Sequence, residues 1–465
     1  MNKIFLPLIA LIIVLSGACS SVSYRKTIRE PERLFHAGQP MKAAQMLKKY
    51  VNTSGKNQLL FLMECGYMLH AAGDYKTSNK VFLKAGKMAT VKPISASKQV
   101  ASYLTNDRNT NYRGEDFEKV LIHFYTGLNF IMLKNYNSAR VEFKKVNNEL
   151  AKIKTKNGKA RYKQNIIAKY LTAISYELIG NIDNNDDDRE FAYIEYKQIY
   201  NLRPRLRMVQ RDLLRLSKQL KYKKDYAKWR RQFGRIDYIP RNAGEIVFVY
   251  GSGRAPIKVS RGKLLNDRSM YVSITIAMST MRFAAGVTTG MILAAMNKAE
   301  NPIPNFRRRR TEIKTVRLRV GNRVYYPAML ENIEDTAIWN LQDNYKNLKK
   351  RVAGSLVAKA AASIAAGIAA KMAGDRLLGR GLGSLLGAVA GGGTAAALFS
   401  SMRPDLRCWH SLPGQLHLSR IFLRPGKYNV TLEYLDRYNQ VVKTKKMQVV
   451  VEKGKKVFLK ERTLN

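Results

Sequence analysis

Apolar positions change their spacing along this chain, and each change predicts a different kind of element. In the first half they recur at helical intervals. Gly66, Gly73, Ser78, Phe82 and Ala85 are spaced 7, 5, 4 and 3, and Gly127, Lys134, Ala139, Phe143 and Val146 repeat that spacing. Gly38, Ala43, Leu47 and Tyr50 give a third, partial copy. A fourth starts at Ala173, Tyr176 and Gly180 and resumes, after what reads as a solvated loop insertion in "NIDNNDDDRE", at Ala192, Tyr196, Ile199 and Pro204. Gly66 and Gly127 permit close approach of paired helices, and Gly73 and Gly180 are placed to end helices, as glycine favours. Ala43, Ala139 and Ala192 leave room for an aromatic of the facing helix. Val209, Leu213, Leu216 and Leu220 form a 4–3–4 stripe on a last helix.

Past Pro240 the period shortens. Ile246 to Tyr250, "MYVSITIAM" and "KTVRLRV" read as strands by their β-branched content and alternation. The glycines and proline after Tyr250 discourage the helix a phosphate-binding loop must open. From Glu331 to Gly374 the pattern is helical again, ending in "AKAAASIAAGIAAKMAG". Gly379, Gly383, Gly387 and Gly391 then recur every fourth position within a run whose 22 residues from Gly381 to Met402 carry no ionisable side chain. Gly391, Gly392 and Gly393 should stop a helix, leaving a segment short for a membrane span. Three readings stand: a tight helical hairpin packed within the protein or between copies, insertion into a membrane, or a linker. Tyr428, Val430, Leu432 and Tyr434 then share one strand face, and "TKKMQVVVEKGKKVFLK" reads as a hairpin.

The repeated spacing resembles tetratricopeptide repeats, each a helix–turn–helix of about 34 residues. That likeness implies a solenoid with a continuous core and an inner surface for partners. The fold class is therefore α+β: a tetratricopeptide-like α-solenoid, then a mixed domain with an Ala/Gly-rich helical region and a C-terminal antiparallel β-segment.

Charge narrows the partners. There are 82 Lys+Arg against 34 Asp+Glu, a net +48, which favours anionic partners and leaves the fold unspecified. Arg205, Arg211 and Arg215 lie in a basic stretch, and Arg307, Arg308, Arg309 and Arg310 form what reads as a basic loop. Both are candidate contacts for an anionic polymer or lipid head groups. The N-terminus "MNKIFLPLIALIIVLSGACSS" resembles a bacterial lipoprotein signal: a positive Lys3, an apolar run from Ile4 to Leu15, and small residues before Cys19. The resemblance implies cleavage before Cys19 and acylation of its thiol and amine. Two or more acyl chains are what stable anchoring without a span requires. Ser20 rather than Asp after the cysteine implies, by the sorting rule of enteric bacteria, the outer membrane facing the periplasm. Nucleic acid is then not the expected partner.

No catalytic or metal-binding constellation emerges. The five histidines lack ligand spacing, and there is no nucleophile elbow or HExxH. His70 and His123 read as structural, and Cys65 as a buried free thiol. Asp405, Arg407, Trp409 and Pro413 form a compact block, read as a salt-bridged corner locking the Ala/Gly region to the sheet. This block, the lipobox, the repeats with "GEDFEKVLIHFYTGLNF" and the Ala/Gly region together resemble a family of bacterial lipoproteins with no established reaction. The expected organisation is a signal over 1–18, a lipidated linker over 19–28, repeats over 29–236, a β-rich segment over 237–330, helices over 331–402 and a β-sandwich-like segment over 403–465. A non-enzymatic scaffold that needs no cofactor, binds envelope proteins through its repeats and is open to self-association follows as the functional expectation.

Overall fold

The computed structural model describes residues 23–89, 111–152, 165–234, 239–240, 242–279, 289–378, 382–400 and 402–463. Cys19, Gly379 and the two intervals 90–110 and 153–164 lie outside the described residues. Helices α1 (Tyr24–His36), α2 (Pro40–Asn52), α3 (Gln58–Ala72), α4 (Tyr75–Met88), α5 (Asp116–Met132), α6 (Tyr136–Lys152), α7 (Ile166–Ile182), α8 (Asp186–Leu202), α9 (Arg207–Gln219) and α10 (Lys223–Phe233) pack in sequence order as antiparallel pairs.

The pairs close as their spacing predicts. A β-carbon at Gly66 would lie 2.7 Å from the Phe82 ring, and one at Gly127 would lie 2.7 Å from the Phe143 ring. Both glycines are therefore sites where an aromatic of the second helix presses on the backbone of the first. Gly73 ends α3 in the left-handed conformation, with φ of 89°. Side-chain caps fix the starts: Asp74 accepts from Thr77 N, Asn165 from Ala168 N, and Glu115 with Glu118 completes a capping box.

The second half builds two four-stranded sheets. Strands β1 (Gly244–Ser252), β6 (Ala328–Asn332), β7 (Gln415–Leu423) and β10 (Lys456–Arg462) form one, in the order β10-β1-β7-β6, with β10 parallel to β1. The other contains β4 (Thr315–Val320), β5 (Arg323–Tyr325), β8 (Gly426–Leu435) and β9 (Val441–Val451), in the order β5-β4-β8-β9. Ile246, Phe248 and Tyr250 of β1 face Val316, Leu318, Leu432 and Val449 of the second sheet in one core. Val247 and Val249, on the opposite face of β1, join the core of the helical repeats. Burial on both faces explains why Ile246 to Tyr250 is a continuous apolar run rather than an alternating one. The layers are thus helices, sheet, sheet. A short ribbon of β2 (Arg254–Val259) and β3 (Asn305–Arg309) stands beside them.

Helices α11 (Arg268–Ser279) and α12 (Thr289–Lys298) pack on the 46-residue α13 (Ile333–Leu378) and on α14 (Leu382–Ser400) around a separate core that includes Met270, Ile274, Met296, Leu356 and Phe399.

Several expectations are corrected. "MYVSITIAM" is α11, not a strand, so the segment 237–330 is not purely β. Asp267 caps it, accepting from Ser269 N at 3.1 Å and Met270 N at 3.2 Å, and Met270 and Ile274 bury four residues apart. "NFRRRR" is mostly strand β3, not a loop. "NIDNNDDDRE" is no insertion: Asn185 caps α8 through Asp187 N, and Asp186, Asp187 and Asp188 occupy its first turn, where carboxylates suit the helix dipole. Gly180 lies inside α7, where an added β-carbon would meet Asn185 O at 2.8 Å, so close packing and not helix ending requires it. Finally, α14 runs through Gly391, Gly392 and Gly393. Its packing along α13 outweighs the intrinsic cost of glycine in a helix. An added β-carbon at Gly387 would lie 2.8 Å from both Gly367 O and Lys371 Cβ, and Gly391 is buried.

Candidate functional site: the inner face of the repeats

The repeat helices divide into two rows. In α4 and α8 only one stripe is buried, including Phe82 and Ala85 in α4 and Tyr196 and Ile199 in α8. In α3 every residue from Leu59 to His70 is buried, and in α7 every residue from Ile166 to Gly180. A helix buried all round has neighbours on every side. For α3, α5 and α7 those neighbours are the first β-sheet and the extended segment 403–414, which together cover the face a solenoid would offer to partners.

The segment 403–414 is held like a bound peptide. Trp409 is 1 % exposed and packs edge-on to Tyr67 of α3 and Tyr125 of α5, with ring centroids 6.2 Å away in each case. Its main-chain N–H donates to Glu118 of α5 at 2.7 Å, while the N–H groups of His410 and Ser411 donate to Glu64 of α3 at 2.6 and 3.2 Å. The Tyr24 hydroxyl donates to Glu64 at 2.7 Å. Burial pushes both carboxyls up, Glu118 to about 7, despite these donors. Arg407 pairs with Asp405 at 2.8 Å and donates to Asn57 Oδ1 at 2.9 Å. Pro413 closes the block against Gly251 of β1. The block therefore locks sheet to solenoid, and not the Ala/Gly region to the sheet.

A buried ionic cluster fastens the other end. The fully buried Arg420 of β7 meets Asp212 of α9 at 2.9 Å, Glu177 of α7 at 3.2 Å and Glu245 of β1 at 2.9 Å, and donates to Tyr196 Oη at 2.6 Å. Lys456 of β10 bridges Glu177 at 3.0 Å and Glu245 at 2.5 Å, and Arg215 reaches Glu177 at 2.6 Å. Three carboxylates and three cations balance. Although burial opposes ionisation, Arg420 and Lys456 hold Glu245 down to about 2, and Arg215, Arg420 and Lys456 hold Glu177 low. Removing one partner of such a cluster strands buried charge, at a cost of about 3–5 kcal/mol.

The structure redistributes the arginines expected to face partners. Arg211 lies over the Phe422 ring at 4.6 Å and donates to Arg420 O, and Arg215 belongs to the cluster above. Arg309 pairs with Glu32 at 2.7 Å, and Arg308 with Glu334 at 2.7 Å. These four serve contacts within the chain, Arg215, Arg308 and Arg309 with carboxylates and Arg211 with a ring and a carbonyl, although Arg308 stays at the surface. Arg205, Arg307 and Arg310 are exposed as well. The exposed basic surface that sequence reading left unresolved lies on α10, where Lys223, Lys224, Lys228, Arg230 and Arg231 face solvent around the buried Trp229.

The two histidines read as structural bridge helices: His70 Nδ1 meets Asn129 Oδ1 at 2.6 Å and His123 Nδ1 meets Glu142 at 2.7 Å. Cys65 is a buried free thiol, pushed up to about 12 by burial. Among the described residues no group of three or more His, Cys, Asp or Glu is arranged to hold a metal ion. What sequence reading missed here was the role of Glu64, Glu118 and Glu177. Their signal was an acidic residue inside an otherwise apolar helix.

No protein-family model matches the chain, and no curated protein matches it. Among solved structures, the chain is similar to residues 41 to the end of MamA from Desulfovibrio magneticus RS-1, at 18% identity, covering 45% of this chain and 90% of that one, with a TM-score of 0.30. MamA of AMB-1 aligns at 13% identity over 44% of this chain and 90% of that one, also with a TM-score of 0.30. Nearly identical TPR-like repeats of a Podosopora anserina protein of kinesin light chain type align at 11% identity over 46% of this chain and 97% of that one, with a TM-score of 0.28.

Proposed function

We propose that this protein is a non-catalytic scaffold of the bacterial cell envelope, anchored by acyl chains on Cys19, that docks protein partners on the outer row of its repeat helices. The supporting observation is the filled inner face. With α3, α5 and α7 covered by the chain itself, the repeat surface left for partners is the outer one. That surface carries isolated apolar side chains, Met46 on α2, Leu83 on α4, Val141 on α6 and Ile194 on α8, each 42–47 % exposed. The test is crosslinking and capture from intact cells with Leu83→Glu, Val141→Glu and Ile194→Glu combined, alongside Cys19→Ala. The triple variant folds and loses its partners, and Cys19→Ala moves to the soluble fraction. Undiminished capture by the triple variant refutes docking on the outer row, and membrane retention of Cys19→Ala in high salt refutes the acyl anchor.

A second reading, an accessory role on an anionic envelope polymer such as peptidoglycan, is favoured by the exposed lysines and arginines of α10. Its mark is salt-sensitive polymer pull-down that Lys224→Glu with Arg231→Glu abolishes.

A further inference from the structure

Helix α1 has two faces of unlike character. Tyr24, Ile28, Pro31 and Phe35 form its buried stripe. The opposite face exposes Arg25, Lys26, Arg29 and Arg33, and its one carboxylate, Glu30, is held by Arg33 at 2.6 Å. Contacts beside the buried stripe fix the helix to the body of the molecule. Glu32 pairs with Arg309 at 2.7 Å, Arg254 at 2.9 Å and His410 at 3.0 Å, and the Tyr24 hydroxyl donates to Glu64 at 2.7 Å. Because the apolar stripe is used inside the protein, the face left to solvent is polar. It can rest on a charged surface but has no apolar stripe to insert into hydrocarbon.

A net charge of +48 puts cations on many surfaces, so charge alone does not single out α1. Its place in the chain does. Tyr24 follows Cys19 by five residues, a step of at most about 18 Å even when fully extended. An acyl anchor on Cys19 would keep the start of α1 within that distance of the head groups. The helix is about 20 Å long, and its four exposed cations lie within about 100° of one another around the axis. Laid flat, it brings all four within the roughly 8 Å over which an anionic membrane attracts them at physiological salt. We propose that α1 lies with this face on anionic phospholipid head groups. The molecule then stands with α1 at the membrane and α10, at the other end of the helical array, away from it. This orientation rests on the acyl anchor at Cys19: the acyl chains hold the protein and the cations turn it.

The test uses the full mature chain with its acyl chains, in vesicles of phosphatidylcholine with or without phosphatidylglycerol, carrying a lipid spin-labelled on its head group. A fluorophore is placed at Ala37→Cys or at Lys224→Cys on α10. Ala37 is exposed and continues the row of Arg25, Arg29 and Arg33 at the far end of α1. Cys65 and Cys408 are buried and do not compete for the reagent. The label at position 37 is quenched when phosphatidylglycerol is present and not when it is absent, and the label at position 224 is quenched in neither case. Losing one cation from an anionic surface weakens partitioning about fivefold. Arg25→Glu with Arg29→Glu therefore abolishes the quenching while the protein still floats with the vesicles. A floating protein whose label at position 37 stays bright overturns the proposal and leaves the anchor standing. So does quenching that is equal without phosphatidylglycerol, equal at position 224, or unchanged in the double variant. The anchor is read separately: wild type that floats no better than Cys19→Ala removes it, and the orientation with it.

Discussion

Glu118 condenses the design of the inner face into one side chain. It caps its own helix by accepting from Glu115 N at 2.9 Å, accepts the Tyr112 hydroxyl, and accepts the main-chain N–H of Trp409 across the interface. Burial raises its pKa from 4.5 to about 7. A carboxyl raised on folding binds its proton more tightly in the native state, so between pH 4.5 and 7 the folded form holds more protons than the unfolded one. Its contribution to stability is accordingly fullest below about pH 4.5 and is lost as pH rises toward 7. We expect Glu118→Gln to be less steeply dependent on pH than wild type in that window. Urea denaturation at pH 4.5, 5.5 and 7 checks this, and parallel profiles for the two proteins contradict it. Sequence reading saw 114–130 as a repeat helix, and local spacing was enough for that. It assigned no task to Glu118, because the partner that explains the residue is 291 positions away.

At the scale of elements, legibility followed the range of the contacts that decide each one. Gly66 and Phe82, or Gly127 and Phe143, are sixteen residues apart within one helix pair, so their spacing carried the fold. The helix α11 misled because its alternating Val272, Ile274 and Ile276 mimic a strand, while what selects the helix is a cap at Asp267 and a distant neighbour, α13. The same holds for the triple glycine of α14. The α13–α14 pair invites a direct test. Among the described residues, Leu348–Leu377 is long and apolar enough to cross a membrane, yet only 39% of its most apolar window is buried. Leu377, Leu385 and Val389 are 80 %, 62 % and 65 % exposed. If contact with α13 is what positions α14, Gly387→Leu must push the helices apart, since even a β-carbon there would clash. Overpacking of this kind costs about 1–3 kcal/mol. The expected result is loss of protease resistance across 365–399 without stronger flotation on liposomes. Intact folding with stronger flotation would place the segment in lipid instead.

For the molecule as a whole, the boundaries drawn from composition near Pro240 and Arg403 are changes of element type and not of structural unit. The first sheet takes β1 from before α11, β6 from between α12 and α13, and β7 and β10 from after α14, and its β1 belongs to two cores at once. Composition registers what a segment is made of, whereas the interface depends on single residues such as Arg420 and Trp409 whose partners lie far along the chain. The prediction at this scale is that the repeats are not independent of the last strand. Deletion of 453–465 removes β10, and with it Lys456 from the ionic cluster and Lys460 from the end of α3. We expect limited proteolysis to cut α3, α5 and α7 in that variant. Full protection of those helices would show that the repeats stand without the sheet.

The position of β10 has a temporal consequence. Of the two strands that pair with β1, β10 is made after β7, and about 200 positions separate it from β1. At about 5–20 residues per second, β1 waits roughly 10–40 s for this second neighbour. For the part of that interval before segment 403–414 and β7 are made, the complete set of repeat helices exists with Glu64, Glu118 and Glu177 lacking the partners that cover them. An open inner face is therefore a property of the nascent chain and not of the mature protein, and any factor that recognises it acts on newborn molecules alone.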